Sequence, residues 1–457
     1  MLLLLLHLLV AHVLAIPTIS TKGSKFFTSD GNQFFLKGVA YQLLPEDPLI
    51  NNNQCTLDAD LMKHLGANSI RVYHVDPQAK HDDCMKTFAD AGIYIWLDLD
   101  TFDTYIQGPG MEKPQWNESQ YKAYQRVMDV FHNYDNLGGF FVGNEVLTSP
   151  ETDVAAPYVK AAASDMKAYR DHKGYRKIPI GYTAADVAGL RPMLQNYLAC
   201  GHDPAAAVNF YGLNAYEWCG DSTYDTSGYV FLQKNASEYN VPIFFSETGC
   251  NVPTPRNFDD QAAIFGDKMV DTWSGAIVYE WIQETNNYGI VSYGPSTMTT
   301  AAGGGVEEGF GRTGTPMPVS PDFDNLSKHW ATLSPSGVRK DDYKPSLSAP
   351  PCPAFTTGAW EVEADAPLLT LAHGSGGTSS TSSKTAHPTA SASATGKAAA
   401  DEQGSDEGDS DKAQDEPAAT SSSVAQNVPA PSGFGLRSGL WLGAYVALCG
   451  IAGFAIL

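Results

Sequence analysis

The sequence predicts a closed parallel (β/α)8 barrel, a TIM barrel, and three observations carry that prediction. Between about Lys22 and Ile290, apolar strand-like runs alternate with amphipathic helical stretches, the pattern of a parallel sheet covered by helices. Eight such runs fit into that length, the number that closes a barrel. Polar and acidic groups gather where the runs end, and barrel enzymes carry their catalytic groups at the carboxyl ends of strands. A doubly wound open sheet is the rival architecture. It calls for a Gly-rich phosphate turn after the first strand, and Gly38-Val39-Ala40-Tyr41-Gln42 is not one.

In chain order the expected strands are 33–42, 68–75, 93–98, 138–146, 177–182, 207–216, 241–247 and 275–281. Helices are expected over 57–65, 83–91, 120–132, 156–169 and 259–270, where apolar residues recur at helical spacing. The strand ends carry Gln42, Tyr73, Asp98, Asn144-Glu145, Asn214 with Tyr216, Glu247 and Tyr279. The fifth ends less clearly, in Tyr182-Thr183 with Asp186 shortly after. One polar strand end is explained by surface exposure; seven together point to a site. After Ile290 regularity fades. Residues 303–314 are glycine-rich, and 316–353 read as a loop-rich extension that Cys352 ties back to the barrel.

Composition sets the frame around this unit. The chain has 457 residues, 43% hydrophobic and 11% aromatic, and a net charge of −22. That balance argues against nucleic-acid binding, which calls for a basic face. The charge is uneven: 401–416 holds eight acidic residues and one lysine, hence −7 of the total. Residues 1–15 form a leucine-rich run ending Val13-Leu14-Ala15, which reads as a secretory signal peptide, although it lacks a basic n-region. Residues 16–355 are the expected catalytic unit with its extension. Residues 356–427 are rich in Ser, Thr and acidic groups, with too few apolar side chains to fold, and read as a stalk. Residues 428–457 end in an apolar run with no basic cluster behind it, the pattern of a GPI-attachment signal removed on maturation. The alternatives are an N-terminal transmembrane anchor and a C-terminal tail anchor.

Of seven cysteines, Cys449 lies in the tail that would be removed. The other six, Cys55, Cys84, Cys200, Cys219, Cys250 and Cys352, suit three disulfides in a secreted chain, with the connectivity open. Zinc ligation is the alternative, but no CxxC pair exists. Sequons at Asn117, Asn235 and Asn325 fit the same route.

Two stretches carry the chemistry. Phe140-Phe141-Val142-Gly143-Asn144-Glu145 and Val241-Pro242-Ile243-Phe244-Phe245-Ser246-Glu247 are apolar strands that each deliver a glutamate at the carboxyl end. Two such carboxylates facing across a barrel mouth are what glycoside cleavage needs. One protonates the leaving oxygen, and the other attacks or stabilises the anomeric carbon. Asn144 supplies an amide suited to a sugar 2-hydroxyl, and a tyrosine such as Tyr279 is expected to hold the nucleophile ionised. Tyr73, Trp96, Tyr216, Trp218, Tyr279 and Trp281 suit stacking on sugar faces, with core packing the alternative for each, above all for Trp96. The eleven histidines form no metal motif.

The chain resembles the fungal 1,3-β-glucanosyltransferases of glycoside hydrolase family 72 over about 16–353. The motifs that carry the resemblance are KGVAYQ (37–42), NSIRVYHVDP (68–77), FFVGNEV (140–146), IPIGYTAADV (178–187), LNAYEWCG (213–220), FFSETGC (244–250) and DFDNLSKHWATLSPSGVRKDDYKP (322–345). It implies Glu145 as acid/base and Glu247 as nucleophile. Tyr73, Asn144, Asp186, Arg191 and Tyr279 are implied as sugar contacts, with Gln42, Asp98, Asn214 and Tyr216 nearby. The implied disulfides are Cys55–Cys84, Cys200–Cys352 and Cys219–Cys250. The resemblance implies no cofactor or metal, β-1,3-glucan donor and acceptor chains, a monomer, and a GPI-anchored place on the outer face of the plasma membrane or in the wall. Two departures stand out. Thr248 follows the nucleophile where the family usually carries a tyrosine, and the cysteine-rich glycan-binding module of some relatives is absent. Hydrolysis alone, as in an endo-β-1,3-glucanase, and glucan binding without catalysis are the other readings of the same groove.

Overall fold

The computed structural model describes residues 15–42, 47–101, 104–107, 113–201, 203–295, 305–364 and 366–372. The expected signal peptide through Leu14, the stalk beyond Ala372 and the attachment signal lie outside the described residues. Eight parallel strands close a barrel. They are β3 (Leu36–Ala40), β4 (Ser69–Val72), β5 (Tyr94–Asp98), β6 (Leu137–Asn144), β7 (Ile180–Ala185), β8 (Phe210–Ala215), β9 (Ile243–Thr248) and β10 (Trp273–Val278). A hairpin of β1 (Ile19–Lys22) and β2 (Lys25–Thr28) precedes them.

The outer layer comprises α1 (Asn52–Leu65), α2 (Asp82–Asp90), α3 (Glu118–Phe131), α4 (Ala156–His172), α5 (Met193–Ala199), α6 (Tyr229–Ala236) and α7 (Asp259–Ile264). Local chemistry sets several of their ends. The side chain of Asn51 caps α1 by accepting from the Gln54 amide, and Gly66 closes the helix in the left-handed region. Asn117 and Gln120 form a capping box at α3. Of the other two sequons, Asn235 falls within α6, and Asn325 within α8 (Asp322–Thr332).

Alternation along the strands sorts the barrel interior into layers. At its amino-terminal end Leu36, Trp96, Phe141, Phe210, Phe244 and Ile277 fill the space, and Phe26 of the hairpin joins them from below. The Phe26 ring meets Trp96 edge-on at 5.1 Å between centroids. Trp96 is fully buried in this layer, which makes it core rather than a sugar platform. Trp281 is core as well, its indole donating to the Tyr293 hydroxyl at 2.9 Å.

Three expectations change. The segment 316–353 is not all loop: α8 packs Phe323, Leu326 and Trp330 inward, and Trp330 donates to Gln261 of α7 at 2.9 Å. Lys37 Nζ caps the carbonyls of Trp330 and Leu333 at the end of α8. The periodicity of α8 is real but hidden among prolines and serines. The helices α5 and α6 were also unforeseen, being too short at seven and eight residues to show a clear period. Conversely, the helix expected over 259–270 stops at Ile264. Third, folded chain continues beyond 355: Trp360 is buried against Tyr197, and the amides of Leu371 and Ala372 donate to Asp165 at 2.7 and 3.0 Å. Bonds join Cys55 to Cys84, Cys200 to Cys352 and Cys219 to Cys250. The second of these fastens the extension to the end of α5.

Candidate active site

Above the apolar layer the barrel interior turns polar. Arg71 stands in the middle of this change, on a strand whose four residues are all buried. It is wholly buried itself, and it lies on the same face of the chain as Tyr73, two residues on. Its guanidinium donates to Asp98 Oδ2 and to Glu247 Oε1, both at 3.1 Å, and to Asn144 Oδ1 at 2.9 Å. The ring of Tyr73 covers one face at 4.3 Å and that of Phe141 lies at 4.7 Å. Burial opposes the charge of Arg71, but Asp98, together with Glu247 and other neighbours, outweighs it and keeps the guanidinium protonated. Arg71 is not among the site residues expected from the sequence. A charged side chain inside an apolar strand, in step with Tyr73, was the available signal.

Among the described residues Glu247 receives three donors. Besides Arg71, the Tyr73 hydroxyl reaches Oε1 at 2.9 Å and the Tyr216 hydroxyl reaches Oε2 at 2.6 Å. The bond expected from Tyr279 is therefore made by two other tyrosines. Tyr279 instead packs its ring edge-on against Tyr216 and Tyr288. The β9–β10 register shifts between Ala276 and Val278, a displacement that alternation along one strand does not reveal.

Glu145 follows the last residue of β6 with a φ of +47°, a region that non-glycine residues rarely adopt. Its amide donates to the Thr183 carbonyl at 3.0 Å, and the β6–β7 register shifts between Phe141 and Asn144. Strain of this kind, next to a bulge, aims a side chain where regular alternation would not. The Glu145 carboxylate accepts from Asn214 Nδ2 at 2.9 Å. Burial, then the charge of Glu247, push its pKa up to about 7, against the smaller opposing pull of Asn214 and Arg71. Asp98 is raised to about 6, because burial exceeds the attraction of Arg71.

Asn214 joins Glu145 to Arg71, which in turn donates to Glu247. Asn214 donates to Glu145 and to Asn144, and its Oδ1 accepts from Thr183 at 2.9 Å, from Ser246 at 2.8 Å and from Arg71 at 3.4 Å. A buried amide with this many partners has one orientation only. Gln42 stands beside the group, its side-chain oxygen accepting from the Tyr73 amide at 3.3 Å. Thus Gln42, Tyr73, Asp98, Asn144, Glu145, Asn214, Tyr216 and Glu247 form one hydrogen-bonded assembly, with Tyr279 on its aromatic wall.

Asp186 and Arg191 form a second group. The fifth barrel strand runs later than expected, to Ala185, which places Asp186 directly at its end. Arg191 Nε lies 2.6 Å from Asp186, and its Nη2 lies 3.4 Å from Glu217. Burial, then the charge of Asp186, raise Glu217 to about 8. Glu217 was absent from the sequence reading; it sits in LNAYEWCG beside Tyr216, and one acidic residue there carries no distinguishing pattern. Trp218 packs on Tyr229 rather than presenting a platform. Thr248 is buried and directed into the helix layer, where its hydroxyl donates to Asp260 at 3.1 Å.

The arrangement offers one carboxyl whose pKa is raised to about 7 and a second that accepts from a guanidinium and two phenols, delivered by β6 and β9. That is the division of labour of a retaining glycosidase. The family model described as Glucanosyltransferase, of glycoside hydrolase family 72, matches residues 9–303. The chain is 40% identical over 366 residues to the 1,3-beta-glucanosyltransferase gas2 of Schizosaccharomyces pombe, covering 76% of this chain and 74% of that one. It is 38% identical over 373 residues to the 1,3-beta-glucanosyltransferase GAS2 of Saccharomyces cerevisiae, covering 77% of this chain and 63% of that one. A solved structure of Saccharomyces cerevisiae Gas2p with laminaritriose and laminaritetraose superposes with a TM-score of 0.69 at 38% identity, covering 78% of this chain and 77% of that one. A mutant of it with laminaritetraose and laminaripentaose gives 0.68, covering 78% and 75%. On its fold, its paired glutamates and these similarities, the chain belongs to the glucanosyltransferase family, glycoside hydrolase family 72.

Proposed function

We propose that the protein is a retaining 1,3-β-glucanosyltransferase that elongates cell-wall glucan. A β-1,3-glucan chain lies across the mouth, and Glu145 gives its proton to the glycosidic oxygen of an internal bond. Glu247 attacks the anomeric carbon, the reducing-side piece leaves, and a glycosyl ester on Glu247 remains. The non-reducing-end hydroxyl of a second chain then enters. Glu145, now a base, takes its proton as the new bond forms and Glu247 is freed. The single observation that carries this reading is the opposite treatment of the two glutamates. Among the described residues Asn214 alone donates to the Glu145 carboxyl, whose pKa burial raises to about 7, whereas Glu247 is held by Arg71, Tyr73 and Tyr216. The oligosaccharides bound to the Saccharomyces relative support β-1,3-glucan as the polymer.

The preference for an acceptor sugar over water rests on the named activity of the relatives. Incubating the purified protein with reduced β-1,3-gluco-oligosaccharides and sizing the products tests it. Products longer than the substrate are expected. Shorter ones alone make the protein a hydrolase, and none makes it a binder.

The proposal extends to location. The N-terminal apolar run and the C-terminal apolar tail behind a small-residue stretch support secretion and a GPI anchor on the outer face of the plasma membrane or in the wall. Treating intact cells with a phosphatidylinositol-specific phospholipase should release the protein; retention by the membrane after treatment counts against the anchor. The protein is further proposed to act as a monomer, for which a single-mass species in light scattering is the expected result.

A further inference from the structure

Behind the wall that faces the nucleophile lies a charged side chain with no place in the scheme above. Arg256, in the loop after β9, is only 3% exposed. Its Nη1 donates to the Tyr288 carbonyl at 2.5 Å and its Nη2 to the Tyr279 carbonyl at 2.9 Å. The guanidinium lies 4.4 Å over the Phe258 ring and 5.8 Å over that of Tyr288. Gly249, with φ +134°, makes room for it; a Cβ there would collide with Nη2. The loop itself is fastened to α8, since the Arg256 carbonyl accepts from Asn325 at 2.8 Å and its amide donates to Asp322 at 3.3 Å.

On their other side, the two residues that Arg256 holds by the backbone form a box with Tyr216. Ring centroids are 5.7 Å apart for Tyr216–Tyr288, 6.3 Å for Tyr216–Tyr279 and 5.5 Å for Tyr279–Tyr288, all edge-on. Edge-on rings resist rotation and sliding, so the place of Tyr216 follows the place of the other two. The Tyr216 hydroxyl ends this chain of contacts on Glu247, at 2.6 Å.

We infer that Arg256 is a positioning residue for the nucleophile: by clamping the carbonyls of Tyr279 and Tyr288 it sets the aromatic box that aims Tyr216 at Glu247. The inference rests on the proposed reading of Glu247 as nucleophile. A planar fork bridges two carbonyls on separate turns of chain, whereas an ammonium has a single point from which to donate. Lysine at this position therefore keeps the charge and loses the clamp. Displacement of a reacting group by about 1 Å is enough to cost ~100-fold in rate.

The test compares Arg256→Lys, Arg256→Met, Tyr216→Phe and the Arg256→Lys/Tyr216→Phe double variant in the full chain, reading kcat, KM and thermal unfolding on laminari-oligosaccharides. Arg256→Lys should lower kcat by ~10- to 100-fold with KM nearly unchanged. The double variant should be no slower than Tyr216→Phe alone, because both changes act through one bond. Losses that multiply in the double variant overturn the inference, as does full kcat in Arg256→Lys or a folded Arg256→Met. Should Arg256→Met not fold, the lysine variant carries the cycle. A wild type with no action on these sugars removes the functional reading instead. The inference is then decided by a crystal structure of Arg256→Lys, in which an unmoved Tyr216–Glu247 bond overturns it and a displaced Tyr216 supports it.

Discussion

Glu145, just past β6, and Glu247, near the end of β9, are the same side chain at matching places on two barrel strands, in opposite surroundings. Glu247 accepts from a buried guanidinium and two phenols. Glu145 accepts from one amide, and its backbone is bent into the left-handed region. The difference teaches that position on the barrel places a carboxyl at the mouth, whereas the surroundings set how it is held: burial, then the charge of Glu247, raise Glu145 to about 7. Hydrogen bonds to the charged form favour ionisation; burial and a neighbouring negative charge oppose it. Both glutamates are near Arg71, but only Glu247 bonds to it.

The largest way to break this contrast is to remove one carboxylate at a time. Glu247→Gln should abolish formation of longer products altogether, since no glycosyl ester can form. Glu145→Gln should lower transfer by about 10²–10⁴-fold on natural linkages, the usual worth of general acid–base help. It should lose far less on an aryl glycoside whose leaving group needs no proton. Comparable losses on both substrates would sink the assignment of Glu145 as acid.

Arg71 comes next. Replacing it by methionine leaves Asp98 and Glu247 buried without their cation, which costs about 3–5 kcal/mol when one partner of a buried pair is lost. A fall in thermal unfolding temperature of many degrees, together with lost activity, is expected. Unchanged unfolding would mean that the carboxylates find another partner.

The pH profile sharpens the comparison further. Bond cleavage needs Glu145 protonated, and its pKa is raised to about 7 by burial and by Glu247. Activity should therefore be high below about 7 and fall as pH rises through that value. In Glu145→Gln the residual rate should lose this alkaline limb; a limb that persists would belong to another group.

Smaller effects are expected where one donor of three is removed. Tyr73→Phe and Tyr216→Phe each delete a hydrogen bond to a charged group worth about 1.5–3 kcal/mol, hence roughly 10- to 100-fold in kcat/KM. Smallest for activity is Thr248→Val. The hydroxyl bonds Asp260 in the helix layer and not the groove, so stability should fall by about 1 kcal/mol while kcat stays within two-fold. A large change in transfer with unchanged stability would show that this side of β9 does reach the substrate.

Much of this was legible in the chain before folding. Strands near the right places follow from apolar runs, and the two glutamates stand out because each ends a run too greasy to tolerate an unpaired carboxylate. Legibility was poorest where periods were short or broken, as in α5, α6 and α8, and where the folded body ran past 355 to Ala372. Within the site, Arg71 was overlooked although its step of two from Tyr73 was on view. Arg256 and Glu217 gave no comparable cue, because each takes its meaning from loops distant in sequence.

By itself, then, the sequence determined the barrel, the two carboxyls and the tyrosines and amides at strand ends, since alternation and strand order are local properties repeated along the chain. Only the tertiary structure decided which tyrosines hold Glu247, why Glu145 keeps its proton and where Thr248 points. Those depend on register shifts between neighbouring strands, at Phe141–Asn144, Leu213–Asn214 and Ala276–Val278. They depend as well on what closes in from other strands and loops, and neither is written in the spacing of any one segment.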